Sequence, residues 1–305
     1  YSYSSITLVM PGLILAPQVL AGELEVGRVV QAAGAFAAIF TALTVIVNNF
    51  DTLSRFAAGI SRLEKFANSL EVSATDGSTN REVIKTVEDN RLAIEHLTLQ
   101  TPDYKRTLVV DLSLEIKPGE GVLIVGASGG GKSSLLRAVA GLWDSGSGQI
   151  VRPPLHEMFF LPQRPYMIIG TLRSQLLYPS AEQVVTDYDL LTVLKAVNLP
   201  DMVERCGGFD VAADWGKILS LGEQQRVAFA RVLLAKPRYV ILDEATSALD
   251  SHNEDALYQQ LHDSGATLVS VSHRLNILKY HQNVLELGGD GTWCFGLAKD
   301  SKLSL

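Results

Sequence analysis

The rhythm of apolar positions changes three times along the chain. Residues 6–20 are mostly apolar and uncharged, broken by Pro11 and Pro17. A short polar turn follows at 22–28, and residues 29–47 are then 19 uncharged positions. As a helix rising 1.5 Å per residue, that run spans about 29 Å, close to the roughly 30 Å hydrocarbon thickness of a bilayer. Leu53, Phe56, Ile60, Leu63, Phe66 and Leu70 then recur every three or four positions, which predicts an amphipathic helix over 51–70. Residues 71–90 are polar, with Gly, Ser, Thr and Asn, and read as a linker. Beyond residue 90, short β-rich runs at 121–125 and 239–242 alternate with helical patterns at 134–140 and 222–235, which predicts an α/β domain.

Charge sharpens this division. Only Glu23, Glu25 and Arg28 are charged among residues 1–50, whereas the 305-residue chain as a whole is 19% charged with a net charge of -7. The acidic balance argues against a nucleic-acid partner held through phosphates. Arg55, Arg62 and Lys65 follow the second apolar run, so the positive-inside rule places residue 51 onward on the cytoplasmic side of a lipid bilayer. Cys206 and Cys294 lie too far apart to suggest a disulfide framework or metal cluster. The chain opens on tyrosine without a basic leader and reads as the C-terminal part of a longer protein.

Two constellations carry chemistry. The first is Gly126-Ala127-Ser128-Gly129-Gly130-Gly131-Lys132-Ser133, set between an apolar run and a helical pattern that opens with Ser134. The G-x-x-x-x-G-K-S spacing in that setting is a phosphate loop: glycines let backbone N–H groups reach phosphate oxygens, and the helix N-terminus adds unpaired donors. Lys132 is expected at the β- and γ-phosphates of ATP, and the Ser133 hydroxyl on Mg²⁺. The second is the run at 239–242, which ends in Asp243-Glu244. A buried strand delivers these acids where ligands bind in open α/β sheets. Asp243 suits the Mg²⁺ side, and Glu244 suits a general base acting on water.

Leu219-Ser220-Leu221-Gly222-Glu223-Gln224-Gln225-Arg226 resembles the signature motif of ATP-binding cassette (ABC) proteins, usually written LSGGQ, and its Ser220 stands 23 positions before Asp243. Further motifs of that family follow in order. Gln163 resembles the Q-loop glutamine, Ser247-Ala248-Leu249-Asp250 the D-loop, and His273, 30 positions after Asp243, the switch histidine. Leu221 departs from the family glycine. The remaining histidines, His96, His156, His252, His262 and His281, carry no such context. The Gly-Leu-Trp at 141–143 and the 16–27 stretch are similar to the branch of peroxisomal fatty-acyl transporters and their bacterial relatives of the SbmA/BacA-like type.

The resemblance implies a P-loop ABC cassette at 91–305, with a parallel-sheet core and antiparallel β and helical subdomains. It implies that 1–70 are the last two membrane helices of an all-α domain with a cytoplasmic extension, and 71–90 the linker. It implies ATP and Mg²⁺ as ligands, the metal on Ser133, Gln163 and Asp243. Ser220, Leu221, Gly222, Glu223 and Gln224 would touch the ATP of an opposite cassette. That cassette would belong to a second copy of the same half-transporter or to a related one. Tyr104 would stack on adenine, a tyrosine being common three positions earlier, at Thr101. Acyl-CoA or other lipid, peptide and vitamin-like cargoes all occur in the branch. A bacterial inner membrane is the leading location, with the plastid envelope and peroxisome as alternatives. The competing readings are a soluble ABC ATPase of DNA repair or translation and a non-hydrolysing binding module. Residues 1–50 weigh against the first, and Glu244 with His273 against the second.

Overall fold

A computed structural model describes residues 2–75, 82–180 and 184–300. The chain divides into two compact units, Tyr1–Asn80 and Arg81–Leu305.

The first unit is a helical hairpin of α1 (Ser2–Leu20) and α2 (Val26–Thr75). The two apolar runs become its arms, and the glycine-containing turn between them breaks the helix at Gly22, whose φ is 78°. Among the described residues, one stretch, Val26–Ala67, is long and apolar enough to cross a membrane, and Met10–Leu20 is a shorter apolar helix. The amphipathic pattern at 51–70 continues α2 without a break. Its apolar members Leu53, Phe56, Ile60, Leu63 and Phe66 are all exposed.

In the second unit the strands are β1 (Lys85–Glu88), β2 (Leu92–Gln100), β3 (Thr107–Ile116), β4 (Val122–Gly126), β5 (Gly146–Arg152) and β6 (Met158–Leu161). They continue with β7 (Ile169–Thr171), β8 (Ala212–Asp214), β9 (Tyr239–Asp243), β10 (Thr267–Val271), β11 (Asn283–Leu287) and β12 (Trp293–Leu297). The helices are α3 (Lys132–Val139), α4 (Leu172–Leu177), α5 (Asp187–Ala196), α6 (Met202–Arg205), α7 (Trp215–Ile218), α8 (Leu221–Ala235) and α9 (Ser251–Asp263). The expected linker at 71–90 is shorter than its composition suggests. Residues 71–75 finish α2, and 85–88 pair in parallel with β5. Polar composition suits a helix end and an exposed edge strand as well as it suits a linker. Residues 76–81 lie outside the described residues.

The main sheet has the order β12-β11-β4-β10-β9-β6, parallel except for β12. A second sheet, β1-β5-β2-β3, is mixed, and β7 pairs with β8. The central strands are apolar at almost every position because both faces of a parallel sheet are covered. Their alternation splits the residues between two cores. Val122, Ile124, Tyr239, Ile241, Val269 and Val271 face a cluster shared with α3 and the second sheet. Leu123, Val125, Val240, Leu242 and Leu268 face a cluster shared with α4, α5, α8 and α9.

Candidate nucleotide site

The order of the main sheet assembles the site. β4, β10, β9 and β6 are consecutive and parallel, so the loops that follow them emerge on one edge. Those loops hold the phosphate loop, His273, Asp243-Glu244 and Gln163, which are far apart in sequence. The carboxyl edge of such a sheet is where ligands bind.

Glycine is required at the start of the phosphate loop. Gly126 has φ 137°, and a Cβ there would overlap the Leu287 carbonyl of β11. Gly131 has φ 94° and caps α3 without a side-chain bond, leaving the first-turn N–H groups to an anionic ligand. Lys132 is 6% exposed. Its Nζ donates to the carbonyls of Gly126 at 2.8 Å and Ala127 at 2.9 Å. Burial pushes the Lys132 ammonium below its ordinary pKa, and Glu244 and Asp243 oppose that shift.

The Ser133 hydroxyl donates to Asp243 Oδ1 at 2.7 Å, joining the residues expected on the metal. Glu244 is held from two sides. Gln163 Nε2 donates to its Oε2 at 3.0 Å, and His273 Nε2 lies 3.3 Å from its Oε1. The Glu244 backbone has φ 50°, a left-handed conformation that costs a non-glycine residue of the order of 1 kcal/mol. Its N–H donates to the Val271 carbonyl at 3.1 Å, so β10 helps to hold the turn.

The signature residues lie elsewhere. Ser220 caps α8 in a reciprocal box with Glu223. Among the described residues, no hydrogen bond or ion pair joins Ser220 or Glu223 to the phosphate loop, Asp243, Glu244 or His273. Leu221 is exposed, and Gly222 packs against the Ala248 carbonyl, with 3.2 Å left for a Cβ. Gln224 differs from the expectation of an outward contact. Its amide is buried and donates to the carbonyls of Leu219 at 2.8 Å and Gly216 at 3.3 Å, bracing the turn from inside. The reason is helical: position 224 falls on the face of α8 that meets the core.

Two bridges escaped the sequence reading. Gln225 is fully buried; its Nε2 donates to the Gln163 carbonyl at 2.8 Å and Ser247 Oγ at 3.2 Å, and its Oε1 accepts from Ala248 N at 3.1 Å. Arg274, next to His273, donates to the Leu249 carbonyl at 2.8 Å and to the buried Glu254 at 3.2 Å. Glu254 also accepts from Thr246 Oγ1 at 2.6 Å. These side chains fasten the 247–250 loop to both the Gln163 and the His273 loops. Asp250 then caps α9 through Asn253 N at 2.9 Å. The sequence carries no signal for these bridges, because the burial of Gln225 and Glu254 is visible only in the fold.

Tyr104 sits in the turn between β2 and β3 with φ 55°, its hydroxyl 3.4 Å from the Glu82 carbonyl. The same turn reaches the phosphate loop through Arg106, which donates to the Gly289 carbonyl at 3.0 Å; Gly289 lies against Gly130. An open groove of about 580 Å³ lies beside the site, lined by Leu155, Tyr166, Tyr178 and Arg231 among others. Arg231 is a buried cation held by the carbonyls of Gln175 at 2.7 Å and Tyr166 at 2.9 Å, and burial lowers its pKa to about 10.

A phosphate loop after β4, an Asp-Glu pair at the end of β9 and a detached signature turn define an ATP-binding cassette. The ABC transporter family profile matches residues 109–247, and the chain belongs to that family. It is similar to an uncharacterised ABC transporter ATP-binding protein of Synechocystis, at 49% identity over 298 residues, covering 95% of this chain and 45% of that protein. Against the chloroplastic ABC transporter D family member 2 of Arabidopsis thaliana the identity is 36%, covering 93% and 50%. Against ATP-binding cassette sub-family D member 3 of Mus musculus it is 36%, covering 93% and 43%. The chain thus spans about half the length of these relatives.

Proposed function

We propose that this chain is the ATP-hydrolysing cassette and adjoining membrane helices of an ABC half-transporter, with ATP turnover driving a cargo across a membrane. The observation that carries the reading is Glu244 held between Gln163 and His273, beside the Ser133–Asp243 bond. The N–H groups of 126–134 and the Lys132 ammonium take the phosphates. Lys132 must leave the loop carbonyls to do so, exchanging two neutral acceptors for a charged one. Glu244 accepts the proton of a water as its oxygen bonds to the γ-phosphorus and the bond to ADP breaks. His273 and Gln163 fix the carboxylate's orientation. The oxygens of Ser133, Asp243 and Gln163 suit Mg²⁺, which takes few protein ligands and keeps water and phosphate oxygens. Bound there, Mg²⁺ neutralises phosphate charge.

Ser220 and the start of α8 would close over the nucleotide of a second cassette, from another copy of this chain or a related half-transporter. Tyr104 would stack on adenine. The D-family relatives support a membrane location; Arg55, Arg62 and Lys65 favour the cassette on the cytosolic face, and of the candidate membranes we favour a bacterial inner membrane. The test is Glu244→Gln in the full-length protein. Loss of a general base lowers turnover by about 10²–10⁴-fold while ATP still binds. Turnover at the wild-type rate would remove Glu244 from this role.

A further inference from the structure

The signature turn carries a charge at odds with its proposed ligand. The N-terminus of a helix attracts anions, and Ser220 at the head of α8 is the residue proposed to meet a partner's γ-phosphate. Yet Glu223, one turn in, stands where the family pattern has a neutral glutamine. Its Oε2 accepts from the Ser220 backbone N–H at 2.9 Å and from the Ser220 hydroxyl at 2.8 Å. The Ser220 Oγ accepts in return from Glu223 N at 3.3 Å. The hydroxyl has one proton, and here it points at a carboxylate. A phosphate oxygen taking that proton would lie only two hydrogen-bond lengths from a like charge.

The other oxygen of Glu223 has one charged partner. Arg205, the last residue of α6, donates from Nη1 to Glu223 Oε1 at 2.7 Å. Glu223 is 13% exposed and Arg205 53% exposed, so the pair is half sheltered and its guanidinium side is open. Burial alone would raise the Glu223 carboxyl pKa, but the bonds from Arg205 and Ser220 outweigh it and hold the group below its ordinary range. The carboxylate therefore stays charged, and Arg205 is what offsets it.

We propose that Arg205 is a positioning residue of the signature turn: it holds and neutralises Glu223, freeing the Ser220 hydroxyl to donate to the terminal phosphate of ATP on the opposite cassette. The inference rests on the two-cassette reading above. Arg205 does not touch the nucleotide; it acts through Glu223. Without it, closure would bring an uncompensated carboxylate towards a phosphate. With glutamine at 223 there is no charge to offset, and Arg205 becomes dispensable.

The test uses the full-length protein with dyes on the two cassettes, titrated with a non-hydrolysable ATP analogue and followed by energy transfer. Arg205→Ala is expected to raise the closing concentration about tenfold, as loss of a partly sheltered charge pair facing a like charge implies. Binding of a fluorescent ATP analogue to the open state stays unchanged. In steady state, KM rises and kcat changes little. Arg205→Lys keeps most of the effect of arginine. In a Glu223→Gln background, removing Arg205 changes the closing concentration by less than about twofold, because the two sites are coupled only through the charge. Equal loss in both backgrounds, or no loss in Arg205→Ala, overturns the proposal and leaves the two-cassette reading intact. Wild-type cassettes that never close with the analogue overturn both.

Discussion

Replacing Gln225 by leucine removes one amide of similar size from the crossing point of three loops. Three hydrogen bonds disappear, to the Gln163 carbonyl, Ser247 Oγ and Ala248 N–H. Each contributes about 0.5–1.5 kcal/mol net. Gln163, Ser247 and Ala248 are exposed, so water takes over part of what they lose and the sum belongs at the lower end, about 2–3 kcal/mol. For a unit of this size, 1 kcal/mol shifts the melting temperature by roughly 2–4 °C, so the cassette should melt about 5–10 °C lower. The same loss unties Gln163, which orients Glu244, from the 247–250 loop. We expect kcat to fall about tenfold with nucleotide affinity unchanged, since no phosphate contact is touched. Thermal melting and steady-state turnover on one preparation check both numbers. A variant that melts within 1 °C of wild type, or that loses affinity rather than kcat, refutes the argument that Gln225 is a satisfied buried bridge.

Three further outcomes follow from other parts of the cassette. His281 is buried, with its ring nitrogens 3.0 Å from the Ile277 carbonyl and 2.8 Å from Ser270 Oγ, and burial lowers its pKa from 6.5 to about 4. The unfolded chain therefore binds a proton between those values that the folded chain refuses. Stability is full above pH 6.5 and falls by up to about 1.4 kcal/mol per unit towards pH 4, a total of about 3 kcal/mol that His281→Gln abolishes in a melting series across pH. Gly126→Ala should leave the cassette unfolded or destabilised by more than about 3 kcal/mol, because the added Cβ meets backbone of β11 and φ is positive; yield and melting temperature report it. Gly129→Ala, with φ 74° and open space around it, should cost only about 1–2 kcal/mol on the same measurements.

The parts legible in the sequence are those that need only neighbours along the chain. The phosphate loop declares itself because its glycines and Lys132-Ser133 are contiguous, and Asp243-Glu244 because an apolar strand ends in them. What the residues at 225, 254 and 274 do depends on which loops fold against which, and no local pattern encodes it. Gln224 shows the converse: a residue inside a recognisable motif turned inward by the phase of its helix. The segment at 71–90 departs from a simple linker because polar composition does not distinguish a linker from a helix end or an edge strand.

The four site loops hang from β4, β10, β9 and β6, and neighbouring strands in a sheet stand about 4.8 Å apart. From the Lys132 loop to the Gln163 loop is therefore three strand intervals, about 14 Å, fixed by amide-to-carbonyl pairing rather than by side chains. That pitch is a ruler the nucleotide cannot stretch. Apolar exchanges on these strands that conserve volume leave its graduations in place, so such drift in the interior need not blunt the chemistry at its edge.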